Sequence, residues 1–190
     1  MSSQVSNVRR GLNARQVETV DRLLVAGQAV LEDVGPDDLT IRMVASHAGV
    51  SPATAYTYLA SKNHLFAEIY LRHIARHPAP ELTGTPAEQL KVVVRHYSRT
   101  LLDSPHLAAA ANLALLSADP DVERLRIRIG AEFVGAFSEA LGGSPDPALL
   151  DALTFAFSGA LLQAGMGLLD ADQMADRLDH VVDLLMRNHP

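Results

Sequence analysis

The 190-residue chain has no cysteine. Disulfides and thiolate zinc sites are therefore excluded, and the composition fits a reducing compartment. Long apolar runs are also missing. The longest, residues 107–116, is broken by Asn112 and falls well short of the roughly 18 residues a membrane span requires. The first thirteen residues lack the apolar segment of an export signal. A soluble, unexported, cytoplasmic protein is expected. No stretch alternates apolar and polar residues with strand chemistry. There is no internal repeat, no glycine-rich phosphate loop and no nucleophile motif. His73 and His77 stand one helical turn apart, a spacing able to hold a metal. Ile74 follows His73, however, so the His-Glu-x-x-His pattern is absent, and a surface pair is expected. Asp119, Asp121, Asp170 and Asp172 all fall at helix starts, where carboxylates cap and complement the dipole. No catalytic residue, metal site or cofactor is assigned.

What the chain does carry is unevenly distributed charge. The net charge is −6, but residues 1–77 hold eight basic and seven acidic side chains, while residues 78–190 hold eight and fifteen. The acidity thus belongs to the second part. The first is near neutral, with a positive arm at Arg9, Arg10 and Arg15. Nucleic-acid binding remains open for that part only.

Helical signals run through the rest. Ser51-Pro52, Thr85-Pro86, Ser104-Pro105, Asp119-Pro120 and Asp146-Pro147 each set a capping side chain before a proline. Proline fits the first helical position, where its missing N–H had no partner, and the cap oxygen accepts one of the free N–H groups that follow. Thr85 and Glu88 make a capping box, and Asp170 with Gln173 resembles one. Asn13 caps a first helix that Gly35-Pro36 stops. The fold class expected is all-α, with about nine helices near 14–34, 41–48, 52–59, 62–77, 86–103, 105–117, 120–141, 147–169 and 171–188. A Pro/Gly/Thr-rich break at residues 77–86 coincides with the charge shift and marks a domain boundary. The layout is a basic arm (1–13), a first helical domain (14–61), a connecting helix (62–77) and a larger helical domain (78–190).

The most informative stretch is His47 to Lys62, HAGVSPATAYTYLASK. Before it, Thr40 caps a short helix with Ile41, Val44, Ala45 and Ala48 on one stripe. Gly49 suits a left-handed turn. Val50 plugs the angle, and Ser51-Pro52 starts the next helix. Short helix, glycine turn, short helix is the helix-turn-helix layout, whose second helix enters the major groove. On that helix Ala55 and Leu59 face inward. Pro52, Ala53, Thr54, Tyr56, Thr57 and Tyr58 are left for bases, sugars and phosphates. Ser61 caps a further helix whose first turn holds Lys62. A cation is unfavourable at that positive end unless a phosphate lies against it, so Lys62 is expected to clamp one.

Residues 40–70, TIRMVASHAGVSPATAYTYLASKNHLFAEIY, resemble the N-terminal helix-turn-helix of TetR-family transcriptional regulators. The resemblance is specific over residues 20 to about 70. It implies a dimer, three helices for DNA, and a larger domain for dimerisation and a small-molecule effector, whose binding releases a repressor from its operator. It places Thr40 as a cap and phosphate contact, Thr54, Tyr56, Thr57 and Tyr58 on DNA-touching positions, and Lys62 on a phosphate. Pro52 and Ala53 fall where base-reading residues sit, yet neither can make a bidentate base contact. Thymine methyls or DNA shape would then supply specificity. With Arg9, Arg10, Arg42 and Ser51, these residues form the expected DNA-contact set. Ala55 and Leu59 stand where the family has bulkier side chains, and His64 replaces a common glutamate, removing a capping box.

In the second part, Tyr97, Leu101, Leu113, Phe133, Phe137, Phe155, Leu162 and Met166 supply more apolar surface than one helix seam needs. They are expected to line a hydrophobic effector cavity with Asn112, Gln163 and Ser158 as polar groups. An anionic end of the ligand would lie near Arg95 or Arg99. Arg124, Arg126 and Arg128 could also hold an anion, though a solvated face is preferred for them. Phe157, Leu161, Gly165, Met174, Leu178, Val181 and Leu185 form the expected dimer seam, from the 4-3-4 spacing of the last helix and the small residues of the one before it. Two other readings stand beside this one: a helical protein-interaction domain with a non-functional helix-turn-helix, and a helical-bundle enzyme, for which the sequence offers only the histidine pair.

Overall fold

The structure, a computed structural model, describes residues 13–187. Arg9 and Arg10 lie outside the described residues. Nine helices and no strand occur among those described: α1 (Ala14–Asp38), α2 (Ile41–His47), α3 (Pro52–Tyr58), α4 (Lys62–Arg76), α5 (Pro86–Leu102), α6 (Pro105–Leu116), α7 (Pro120–Ala140), α8 (Pro147–Gly165) and α9 (Ala171–Met186). The cap chemistry is as the sequence implies. Asn13 and Gln16, Thr85 and Glu88, and Asp170 and Gln173 form reciprocal capping boxes. Glu88 accepts from the Thr85 amide and hydroxyl, and those bonds hold its carboxyl below the usual carboxylate range. Gly35, at φ 76°, breaks α1, and one further turn follows it.

The chain divides into two compact units, residues 1–76 with 109–126, and residues 77–108 with 127–190. The division cuts α6 and α7. Residues 109–126, which the sequence boundary assigned to the larger domain, group instead with the first four helices.

In the first unit α1 packs on α2 and α4, and α2 on α3. Leu23, Leu31, Val44, Ala45, Ala55, Leu59, Leu65, Phe66 and Tyr70 make the core. Gly27 lets α1 approach α4. A Cβ there would lie 2.9 Å from one Leu65 methyl carbon and 3.1 Å from an Ile69 methyl carbon. Gly27→Val is therefore expected to overpack this contact at a cost of about 1–3 kcal/mol and to lower the thermal midpoint. An unchanged midpoint would mean that α1 and α4 do not meet as described.

In the second unit α5 packs on α9, and α8 on both. Charge lines the α5–α9 seam. Lys91 meets Asp183 at 2.5 Å, Arg95 meets Asp179 at 2.6 Å and Asp176 at 3.0 Å, and Arg99 meets Asp172 at 3.5 Å. The descending order of the aspartates makes the two helices antiparallel. The more exposed of these pairs contribute about 0–1 kcal/mol each, and together they fix register. Helix α8 is 19 residues long and apolar enough, by length and composition, to cross a membrane, which corrects the expectation that no segment approaches that limit. One of its faces, Leu149, Leu153, Phe157, Ala160 and Ala164, is buried in the chain's own core.

Candidate nucleic-acid interface

The α2–α3 corner is built by local chemistry. Thr40 Oγ1 accepts from the Met43 amide at 3.3 Å, and Ser51 Oγ accepts from the Thr54 amide at 3.1 Å. Between them Gly49 adopts φ 65°, which glycine reaches without a Cβ penalty. The Val50 amide returns to the Ala45 carbonyl at 3.0 Å. Ala55 and Leu59 are buried, so the opposite side of α3 is turned outward. Pro52, Ala53, Tyr56 and Thr57 are exposed there, with Ser51, Thr40 and Arg42 beside them, while Thr54 and Tyr58 are half-buried.

Hydrogen bonding narrows what this surface offers a duplex. Thr57 donates its hydroxyl to the Ala53 carbonyl at 3.0 Å, and the Ser51 and Thr54 hydroxyls bond each other at 2.9 Å. The donors left outward include the phenol of Tyr56, whose side chain is half exposed, the guanidinium of Arg42 on α2, and the Thr40 hydroxyl, which accepts from Met43 and keeps its own proton. Arg42 alone among these has the planar fork suited to a bidentate contact with guanine.

Lys62 has an occupation the sequence did not indicate. Its Nζ donates to the carbonyls of Pro36 at 3.0 Å and Asp37 at 3.1 Å, closing the end of α1 beyond the Gly35 break. A cation at the start of α4 thus sits against carbonyl oxygens at the end of another helix, where charge is favourable. Two of the three N–H groups of its ammonium are used this way.

The N-terminus of α4 is held from two further directions. Ser61 Oγ accepts from the His64 amide at 2.9 Å and donates to Asp119 Oδ2 at 2.5 Å. Asp119 Oδ1 caps α7 through the Asp121 amide at 2.9 Å. Arg126 closes the end of α6, donating to the carbonyls of Leu115 at 2.8 Å and Ser117 at 2.7 Å. His64 partly restores the capping its sequence seemed to remove, because its Nδ1 accepts from the Ala60 amide at 3.3 Å. That bond leaves the proton on Nε2, which lies 3.9 Å from the buried Glu68 carboxylate.

The residues expected to line an effector cavity differ in burial. Tyr97, Leu101, Phe133 and Phe137 are buried, but Leu113, Phe155 and Met166 are exposed, Phe155 at 75%. Gln163 and Ser158 are exposed as well, and Asn112 and Leu162 are half-buried. The buried rings pack on each other: Tyr97 meets Phe133 edge-on at 5.1 Å between centroids, and Phe157 lies 5.0 Å from Phe133 and 5.4 Å from Phe137. Burial, with Glu132 and Glu139 nearby, raises the Tyr97 phenol above its ordinary value. The seam set divides too. Phe157, Met174 and Leu178 belong to the chain's own core, while Leu161, Gly165, Val181 and Leu185 are half-buried. Arg95 is taken by two aspartates, so it is not a free anchor for an anionic ligand. No group of three or more potential metal ligands occurs among the described residues.

Two short capped helices around a glycine turn, with a polar outward face on the second, define a DNA-binding helix-turn-helix protein. Residues 23–69 match the model of the bacterial regulatory proteins of the tetR family. An uncharacterized HTH-type transcriptional regulator of Mycobacterium tuberculosis is 42% identical over 177 residues, covering 92% of this chain and 83% of that protein. The chain belongs to the TetR family, whose members are transcriptional regulators and not enzymes. A TetR transcriptional regulator from Rhodococcus sp. RHA1 has the same fold, with a TM-score of 0.78 at 22% identity over 93% of this chain and 100% of that one. FadR from Bacillus subtilis, in complex with stearoyl-CoA, gives 0.60 at 15% identity, over 90% and 100%.

Proposed function

We propose that the chain is a cytoplasmic homodimer that represses transcription from a palindromic operator and is released by a largely hydrophobic small molecule. The observation that carries the DNA reading is the outward face of α2 and α3, where Arg42 and Tyr56 stand free on helices whose own backbone groups are already capped. Thr40, Ser51, Pro52, Ala53, Thr54, Thr57 and Tyr58 surround them as backbone and apolar contacts, with Lys62 at the edge. The division of labour is DNA binding by residues 14–61, connection by 62–77, and effector binding and dimerisation by 78–190, in which 109–126 group with the DNA-binding helices.

Dimerisation is supported by an apolar stripe on α8, Phe155, Leu162 and Met166, that the chain's own helices leave uncovered or half-covered. A second copy related by a two-fold axis would bury it, and Val181 and Leu185 on α9 are half-buried. The effector reading is supported by the aromatic cluster around Phe157 and by FadR, a protein of this fold that holds an acyl ligand.

The test is the salt dependence of DNA binding, with Lys62→Met as the probe. Wild-type affinity should fall linearly with the logarithm of salt. The variant should weaken all sequences alike and lower the slope by about one charge. Its thermal midpoint should also drop, because the Pro36 and Asp37 carbonyls lose their donor. Wild-type protein that binds no duplex at low salt would end the DNA reading.

A further inference from the structure

Among the basic side chains of α5 and α7, one has a buried nitrogen without a partner. Lys91, Arg95 and Arg99 are matched by aspartates of α9. Arg126 is spent on the carbonyls that close α6, and Arg124 is exposed. Arg128 is half-buried, and one of its terminal nitrogens, Nη1, is fully buried with no hydrogen-bond partner. Glu132, one turn along the same helix, is the partner that i,i+4 spacing would offer. Glu132 is exposed instead, and the guanidinium does not pair with it.

A buried guanidinium nitrogen without an acceptor is costly, since arginine has no neutral form to fall back on. Buried polar groups are otherwise almost always satisfied, and an orphan asks for an acceptor that is absent. The α9 carboxylates are turned to α5, where one oxygen of Asp179, Oδ1, is itself buried without a partner, and none of them pairs with Arg128. The next residues of the inward face of α7, Ile129 and Phe133, are buried and apolar, and the apolar part of the ligand follows from the hydrophobic effector proposed above. The open hollow of about 430 Å³ near the α8–α9 turn is a poor alternative for an anion, because its lining includes Asp170 and no cation.

We infer that Arg128 is an anion anchor, and that the effector carries a carboxylate on an apolar chain, with the carboxylate held by the guanidinium. This rests on the reading that residues 78–190 receive an effector. A bidentate pair would satisfy the orphan nitrogen and give a geometry that a neutral head group cannot match.

The test uses octanoate, 1-octanol and inorganic phosphate as probes, titrated calorimetrically into the full-length chain and into Arg128→Leu and Arg128→Gln. Circular dichroism confirms folding, and the glutamine variant keeps a polar side chain should leucine disturb packing. Wild-type protein is expected to bind octanoate at least ten-fold more tightly than octanol or phosphate. Both variants should lose that preference while octanol binding stays unchanged. Equal affinity for octanoate and octanol in the wild type, or a preference that survives in a folded variant, would overturn the proposal. Phosphate binding as tight as octanoate would overturn the apolar-chain part of it. Operator release is measured in parallel. Release by octanol without carboxylate preference would leave the effector reading standing and remove the anchor. Arg128-dependent octanoate binding that leaves DNA bound would keep the anchor and remove the effector reading.

Discussion

Phe155→Glu is expected to give a folded monomer that has lost at least about a hundred-fold in operator affinity. Phe155 is 75% exposed in the single chain, so a charge there meets water and should change chain stability by no more than about 0.5 kcal/mol. Between two copies the same charge would be buried without a partner, which a compact interface does not tolerate. Two linked DNA-binding units gain on the order of 100-fold or more over one through effective concentration, and a monomer forfeits that gain. Leu178→Glu is the contrasting variant. Leu178 is 4% exposed and belongs to the intramolecular core, so its replacement should unfold the chain rather than split a dimer. Size-exclusion chromatography with circular dichroism separates the two outcomes. A Phe155→Glu chain that stays dimeric would place the interface elsewhere.

The second large effect falls on Arg42. Arg42→Ala is expected to cost about 1–3 kcal/mol of operator binding and to relax specificity at one base pair in each half-site. Tyr56→Ala should also weaken the operator, because its phenol is an exposed donor on the outward face of α3. Thr57→Ala should matter little, since the threonine hydroxyl proton is already given to the Ala53 carbonyl. The ordering Arg42 above Thr57 in a fluorescence-anisotropy series is the informative result. Equal losses would mean that α2 and α3 contribute only general backbone contacts.

The parts of this molecule legible in the sequence are those governed by local chemistry. Ser51, Thr85, Asp146 and Asp170 cap the helices they precede, because a cap needs only its own following amides. The Gly49 turn was legible for the same reason. Lys62 was visible as an oddity, a cation at a helix N-terminus, but its carbonyl partners sit about 25 residues earlier in the chain, beyond the reach of a local pattern. The α5–α9 ladder left a trace in the four-residue steps of Lys91, Arg95 and Arg99, and in the helical three- and four-residue steps of Asp172, Asp176, Asp179 and Asp183, although pairing them requires knowing that the helices run antiparallel. The apolar residues of α8 were the hardest to place. Phe155 and Phe157 are equally apolar and two positions apart, which puts them on opposite sides of the helix. A helix apolar all round gives no periodicity to say which side its own chain covers. The core took Phe157 and left Phe155 outside.

The central claim is that two helix-turn-helix units of this chain read DNA together. Selection of duplexes from a random pool by the full-length protein, followed by sequencing, tests it most directly. The account predicts enrichment of an inverted repeat whose half-sites follow the two-fold of the dimer and lie about one helical turn or a multiple apart. An enriched site without half-site symmetry, or no enrichment above the starting pool at low salt, would contradict it.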